Sequence, residues 1–412
     1  MLLIEKERKT KTAVICPVER PTAVKLLDTD IQERLLEAEG LVVAMGQTAV
    51  FSMPVKITKI NAGTYFGKGI IEKIKEQAEI SEAELVVVDG TLSPVQQRNL
   101  EKALNLKVID RTAVILEIFG RRAQTKEGKL QVELAHLTYQ RGRLVRSWTH
   151  LERQRGGGGF LGGPGETQIE LDRRHLDERI LKIKKELEKV RQTRKIQRSA
   201  RIKVPYPTVA LVGYTNAGKS TLFNHITKAQ VFAKDMLFAT LDPTMRKVNL
   251  DGTEVILSDT VGFISNLPHE LIMAFRATLE EVLEAEIILH VIDISNQNYK
   301  EQRQDVLNVL HELGLDKIEF SKRYMEVSNK IDKISEEAKA NLSIKGIPVS
   351  AITGEGIDTL LKKLKHYFVK SKKIEEISID IADGKKLAEI YQTMEVIERK
   401  DDEKQIRLIV RK

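Results

Sequence analysis

The chain has 412 residues, 42% of them hydrophobic, with a formal net charge of +8 and a single cysteine, Cys16. This length suits about three domains with real cores, and one cysteine excludes a disulfide framework and fits a reducing cytoplasm. No apolar run is long enough to span a membrane, and Met1-Leu2-Leu3-Ile4 is too short for a signal-peptide core before Glu5-Lys6-Glu7-Arg8 begins, so a cytoplasmic protein without stable membrane insertion is expected, its positive balance favouring a polyanionic partner.

Residues 12–110 alternate strand and helix signals. Residues 12–18 form a β-branched run, and residues 28–39 place Ile31, Leu35 and Leu36 on one helical face. Residues 41–44, after Gly40, read as a short strand. Residues 70–78 read as a helix, 84–89 as a buried strand, 93–104 as a helix and 106–110 as a strand. Ser93 before Pro94 suits an N-cap with proline at the first helical position. The alternation predicts an N-terminal α/β subdomain over residues 1–110, a mostly parallel sheet with helices on its faces. Its odd segment, Gly63-Thr64-Tyr65-Phe66-Gly67-Lys68-Gly69, reads as a βα turn rather than a nucleotide or RNA loop. It lacks the second half of either phosphate-binding pattern.

Residues 112–146 are charged and helical, with Leu130, Leu134, Leu137 and Leu144 on one stripe. In the helical stretch 171–198, Leu176, Ile180, Ile183, Leu187 and Val190 are spaced four, three, four, three, a heptad seam. The two stretches predict an antiparallel helical hairpin over residues 111–203. Between them lies a glycine-rich loop, residues 156–167, led by Arg153 and Arg155 and holding Phe160 and Leu161. Two readings stand side by side: a passive linker, or an RNA contact through phosphate pairing and stacking. The second arm carries Lys182, Lys184, Lys185, Lys189, Arg191, Arg194, Lys195, Arg198 and Arg201. Such a face is commonly just solvated; its basic excess also suits an electrostatic footprint for nucleic acid.

The strongest motif is Gly213-Tyr214-Thr215-Asn216-Ala217-Gly218-Lys219-Ser220, a G-x-x-x-x-G-K-S phosphate loop between an apolar β-branched run and a helix opened by Thr221. Its glycines let backbone N–H groups cradle phosphate; Lys219 can reach the β- and γ-phosphates and Ser220 can ligate Mg²⁺. Next comes Phe238-Ala239-Thr240-Leu241-Asp242-Pro243-Thr244, where Thr240 suits a first switch that closes on Mg²⁺ and Thr244 is its rival. Asp259-Thr260-Val261-Gly262 suits the Mg²⁺ shell at Asp259 and a γ-phosphate contact at the Gly262 N–H. Asn329-Lys330-Ile331-Asp332 supplies a carboxylate that accepts from guanine N1–H and its exocyclic amine, donors that adenine lacks. Ser350-Ala351-Ile352 suits the loop whose backbone reads guanine O6. The order points to a Mg²⁺-dependent GTPase, with GTP as substrate, GDP as product, and Lys219, Thr240 and Gly262 closest to the chemistry. Phe263 stands where many GTPases place a glutamine that orders the attacking water, so slow unassisted hydrolysis is expected.

The phosphate loop, residues 238–244, residues 259–263 and the glycine loop before a charged helix together resemble the HflX family of the Obg-HflX branch of translation-factor-related GTPases. The resemblance covers nearly the whole chain. It implies an N-terminal α/β subdomain with a long helical hairpin, a P-loop G domain over residues 204–370 with a mostly parallel sheet, and a small α/β C-terminal domain over 371–412. It implies binding to the large ribosomal subunit and its rRNA, with contact through Arg153, Arg155, Phe160 and the basic hairpin, and dissociation or rescue of stalled ribosomes under stress. It also implies Mg²⁺ on Ser220 and Thr240, and Phe263 fits the family's own hydrophobic substitution. A monomer is expected. The alternatives are a GTP-gated factor for large-subunit maturation without splitting, and a tRNA-directed GTPase.

Overall fold

The computed structural model describes residues 9–19, 28–148, 168–201, 206–229, 237–238, 240–265, 271, 281–315, 322–335, 337, 346–371, 374–380, 382–393, 395–402 and 405–411. The N-terminal unit runs β1 (Lys11–Glu19), α1 (Asp28–Ala44), β2 (Thr48–Ile57), α2 (Lys68–Ile80), β3 (Leu85–Val88), α3 (Pro94–Leu104) and β4 (Lys107–Asp110). Its four strands are parallel in the order β2-β1-β3-β4. Ser93 and Gln96 form a reciprocal capping box at the start of α3, with distances of 3.2 and 2.9 Å. The 63–69 segment is a turn: Asn61 Oδ1 accepts from the N–H of Gly63 and Thr64, and Tyr65 and Phe66 are buried edge to face.

The expected strand at residues 41–44 is instead the last turn of α1. Leu41, Val42 and Ala44 all face the core, and a short apolar run carries no periodicity that separates strand from helix. The helix stops at Gly46, in the left-handed region at φ +83°, while the Gln47 N–H reaches back to the Val42 carbonyl at 3.1 Å. The missing strand is β2, at the sheet edge, where Pro54 is tolerated.

The long helix expected over 112–146 is two helices, α4 (Arg111–Arg122) and α5 (Lys126–Trp148). On α4, Val114, Ile115, Ile118 and Phe119 are buried. Helix α6 (Gln168–Arg201) returns antiparallel along α5, with Leu130 packed on Ile183 and Leu187, and Arg141 paired with Asp177 at 2.9 Å. The heptad seam thus faces inward, and Lys182, Lys184, Lys185 and Lys189 face solvent.

The following unit runs β5 (Thr208–Val212), α7 (Lys219–Thr227), β6 (Thr244–Leu250), β7 (Thr253–Asp259), β8 (Ile287–Asp293), α8 (Tyr299–Glu312), β9 (Tyr324–Asn329), β10 (Ile347–Pro348) and α9 (Ile357–Ser371). Its six strands order as β10-β9-β8-β5-β7-β6, with β6 antiparallel to β7 and the rest parallel. The last unit, β11 (Ile374–Asp380), α10 (Gly384–Thr393), β12 (Glu395–Asp401) and β13 (Gln405–Arg411), is an antiparallel three-stranded sheet in the order β11-β13-β12. Its own small core is Ile379, Ile390, Ile406 and Leu408.

One apolar cluster runs from Val14, Leu41, Ile115 and Phe119 into Val209, Phe223, Phe238 and Val291, so the first and third units share a core. At its edge Arg111, 6% exposed, pairs with Asp89 and with Glu37 at 2.5 Å. Burial opposes its charge, yet Asp89 and Glu37 hold the guanidinium more firmly protonated than usual. Removing one partner of a buried ion pair strands the other charge, at about 3–5 kcal/mol. Arg111→Met is therefore expected to destabilise the protein by that amount, read as a lower urea midpoint at unchanged slope.

Candidate nucleotide-binding site

Residues 213–220 leave the end of β5, which lies between β8 and β7. Gly213 presses on the Val291 backbone, where a Cβ would collide with the carbonyl. Gly218, at φ +93°, caps α7 and lies against the Asn329 carboxamide, again without room for a side chain. Ala217 is buried, Asn216 is exposed at φ +60°, and Thr221 lies in the first turn of α7. The buried Lys219 ammonium donates to the carbonyls of Gly213 at 3.0 Å and Tyr214 at 2.8 Å. Burial pushes its pKa down to about 8, against the pull of Asp259.

Ser220, Thr240 and Asp259 converge. Asp259 Oδ2 accepts from Ser220 Oγ at 2.7 Å and Thr240 Oγ1 at 3.0 Å, and the two hydroxyls are 3.0 Å apart. Asp259 Oδ1 is buried with no hydrogen-bond partner, and burial raises the pKa of this carboxyl. Two hydroxyls beside a carboxylate with an uncommitted oxygen make a donor set that fits a hard divalent cation sharing its shell with phosphate oxygens and water. Of the two threonine rivals, Thr240 is the one whose hydroxyl reaches Ser220; Thr244 opens β6, opposite Asp259 in register.

The segment carrying Thr240 is held on both sides by the N-terminal half. Phe238, buried at φ +55°, packs edge to face on Phe119 of α4 with centroids 4.7 Å apart. Leu241 is buried, and Ala239 lies outside the described residues. Both Asp242 oxygens are taken up at the start of α5: they accept from the N–H of Gln124 at 2.8 Å and Thr125 at 3.0 Å, and from the Thr125 hydroxyl at 2.6 Å. Gly128 makes room, since a Cβ there would lie 2.6 Å from Asp242 Oδ1.

In the next segment Thr260 Oγ1 donates to the Leu211 carbonyl at 2.5 Å, and Val261 is buried. Gly262 lies so close to Thr215 that a Cβ would meet its Cγ2 at 2.9 Å. Phe263 bridges to the phosphate loop: its N–H donates to Gly213 at 3.0 Å, and its carbonyl accepts from the Thr215 N–H at 2.6 Å. Tyr214 donates its phenol to Glu37 and accepts the Ser265 N–H at 2.8 Å. Ser265 also accepts from Arg111 through its carbonyl at 2.9 Å. Glu37, Arg111 and Ser265 escape the sequence reading; the one signal is a charged residue, Arg111, opening the apolar run of α4.

On the base side, Asn329 is buried and fastens two loops. Its Nδ2 donates to the Ala217 carbonyl at 2.8 Å, and its Oδ1 accepts the Ala351 N–H at 3.0 Å. Lys330, at φ +65°, pairs with Asp293 at 2.7 Å. Asp332 is exposed on a short 3-10 turn, Ile331–Lys333. Ser350 is buried and accepts the Thr353 N–H at 3.1 Å, while Ile352 is 68% exposed. A cleft of about 690 Å³, lined by Glu33, Arg34, Glu37, Thr215, Asn216 and Asn298, runs between α1 and the phosphate loop. Arg153, Arg155 and Phe160 lie outside the described residues. No helix among the described residues is long and apolar enough to cross a membrane.

A phosphate loop on a mostly parallel sheet, two switch segments around a hydroxyl-carboxylate cluster and an Asn-Lys-x-Asp loop define a P-loop GTPase. Three family models match the chain in succession: a GTP-binding GTPase N-terminal region over residues 32–120, a GTP-binding GTPase middle region over 122–201, and a 50S ribosome-binding GTPase over 208–330. The GTPase HflX of Magnetococcus marinus is 49% identical over 92% of this chain and 88% of its own. That of Escherichia coli K12 is 47% identical over 82% and 79%. The chain belongs to the HflX family of GTPases. A solved GTP-binding protein from Sulfolobus solfataricus in complex with GDP covers 87% of this chain and 98% of its own, at 23% identity and a TM-score of 0.45.

Bound phosphate favours the Lys219 ammonium, so its pKa in the complex lies above the value of about 8 in the free site. Between those two values binding takes up a proton. GTP affinity is expected to be flat below that pH and to fall above it, by up to about tenfold per unit, as calorimetry in buffers of different ionisation enthalpy will show. Replacing Asp332 by Ala removes a charged acceptor and is expected to weaken GTP binding about 10- to 100-fold. Weak ATP binding should stay unchanged in the same titration.

Proposed function

We propose that this chain is a Mg²⁺-dependent GTPase that binds the large ribosomal subunit and dissociates or rescues stalled ribosomes under stress, acting as a cytoplasmic monomer. The observation that carries the reading is the double anchoring of the Thr240 segment to α4 and α5. A change at the γ-phosphate that shifts Thr240 pulls on Phe238 and Asp242, and so on the helical arm. Support for a ribosomal partner comes from the match to a 50S ribosome-binding GTPase model, the net charge of +8 and the exposed lysines of α6. The glycine loop with Arg153, Arg155 and Phe160 is assigned to rRNA.

Hydrolysis here is positioning and charge compensation, with no covalent protein intermediate. Residues 213–218 cradle the phosphates, Lys219 leaves its loop carbonyls for the β- and γ-oxygens, and the Gly262 N–H meets the γ-phosphate. Ser220 and Thr240, with Asp259 behind them, would hold Mg²⁺, which when bound neutralises charge between the β- and γ-phosphates. Asp332 selects guanine, and the backbone of residues 350–352 reads its O6. Phe263 has no group to order water, so intrinsic turnover is slow and a partner accelerates it.

Cosedimentation tests the reading. With a non-hydrolysable GTP analogue, the protein is expected to convert intact ribosomes to free subunits and to travel with the large one. Binding to immature large subunits without splitting favours a maturation factor instead. Binding only to free tRNA overturns ribosomal action altogether.

A further inference from the structure

One imidazole fastens the loop of residues 350–354 to α7. His225 stands in the last turn of that helix, which opens with Lys219 and Ser220. Its Nδ1 lies 3.2 Å from the Ala351 carbonyl. A carbonyl only accepts, so Nδ1 carries the proton and donates. The loop is shaped around the ring: Gly354, at φ +87°, lies where a Cβ would come within 2.9 Å of His225 Cε1. The ring itself is exposed and fills no core. Among the described residues the Ala351 carbonyl is its one hydrogen-bond partner.

The other bonds of the loop show what this one controls. The Ser350 N–H donates to the Glu355 carbonyl at 2.9 Å, the Ala351 N–H to Asn329 Oδ1 at 3.0 Å, the Thr353 N–H to Ser350 Oγ at 3.1 Å and the Gly354 N–H to the Ser350 carbonyl at 2.9 Å. Among the described residues, the Ile352 N–H is the one amide of residues 350–354 without an acceptor, and its side chain is 68% exposed. It is the amide of this loop left free to donate to a base. That N–H belongs to the same planar group as the Ala351 carbonyl, and the group is trans, so N–H and C=O point in opposite directions. Holding the carbonyl on His225 therefore sets the direction of the Ile352 N–H. Asn329 holds the preceding peptide through the Ala351 N–H, so both planes flanking Ala351 are set.

We propose that His225 is a positioning residue for guanine recognition: by holding the Ala351 carbonyl it aims the Ile352 N–H at O6 of the base and slows release of the nucleotide. It touches no ligand atom itself. Adenine carries an amino group where guanine carries O6, so an amide held in that direction faces a second donor and rejects it. The same helix thus carries the phosphate-binding Lys219 and the support for the base loop. The proposal rests on the reading of residues 350–352 as the guanine loop and adds to it the side chain that orients the donor.

The test compares full-length wild type, His225→Ala and His225→Asn. Asparagine keeps an N–H near the place of Nδ1, and neither change opens a cavity, because the ring is exposed. The readouts are the release rate of a fluorescent GDP and, by competition, the affinities for GTP and for the triphosphate of 2-aminopurine riboside, which keeps the exocyclic amine and lacks O6 and the N1 proton. Loss of the N1 proton falls on Asp332 in every variant alike. His225→Ala is expected to release GDP about 2- to 10-fold faster and to bind GTP more weakly by the same factor, with affinity for the O6-free nucleotide unchanged, and His225→Asn to restore most of the loss. An alanine variant with wild-type release, equal weakening of both nucleotides, or an asparagine variant as fast as alanine overturns the proposal. Wild type that binds both nucleotides alike overturns instead the assignment of residues 350–352 to guanine.

Discussion

Asp259 ends β7 without exposed surface, and two hydroxyls from two other segments meet on one of its oxygens. A carboxylate in such a place is disfavoured by burial, and compensation comes from nearby: the Lys219 ammonium, Ser220 and Thr240. The carboxylate and its compensating groups come from three pieces of the machinery. Lys219 and Ser220 open α7 after the phosphate loop, Thr240 sits in the first switch, and Asp259 begins the second. The cluster ties those pieces into one electrostatic unit, so none can be displaced without changing what the others face.

That unit does not end at the G domain. The first switch is gripped through Phe238 on Phe119 and through Asp242 at the start of α5. The second is gripped through Ser265, which shares Glu37 with the phosphate-loop residue Tyr214 and accepts from Arg111. An apolar contact and a set of short hydrogen bonds hold one switch; a buried ion cluster holds the other. The helical hairpin and the N-terminal sheet are therefore built around the switches as well as beside them.

The candidate nucleotide site was legible because the pattern that marks it is local in the chain. Residues 213–220 must turn tightly and begin a helix, and glycines at two fixed places with lysine and serine after them say so. The heptad spacing of Ile180, Ile183 and Leu187 and the N-cap at Ser93 before Pro94 were legible for the same reason, whereas its reciprocal partner Gln96 was not read. The strand read at residues 41–44 failed because an apolar run of that length is compatible with either element, and burial against the shared core decided for helix. The break between α4 and α5 had no local signal. Its backbone N–H groups are satisfied by Asp242, which lies 118 positions from Gln124. The Glu37–Ser265 contact spans 228 positions. Pattern reading reaches such pairs only after the fold has brought them together.

The cap of α5 is Thr125, whose hydroxyl accepts the Gly128 N–H at 2.9 Å and donates to Asp242 on another segment at 2.6 Å, so the start of this helix is tied to that segment. The first turn of α5 is ordered with Asp242 in place, and Asp242 is in place when its segment is. Thermodynamic reciprocity then runs both ways: whatever grips and stiffens the arm from outside must, to the same extent in free energy, bias the segment that carries Thr240.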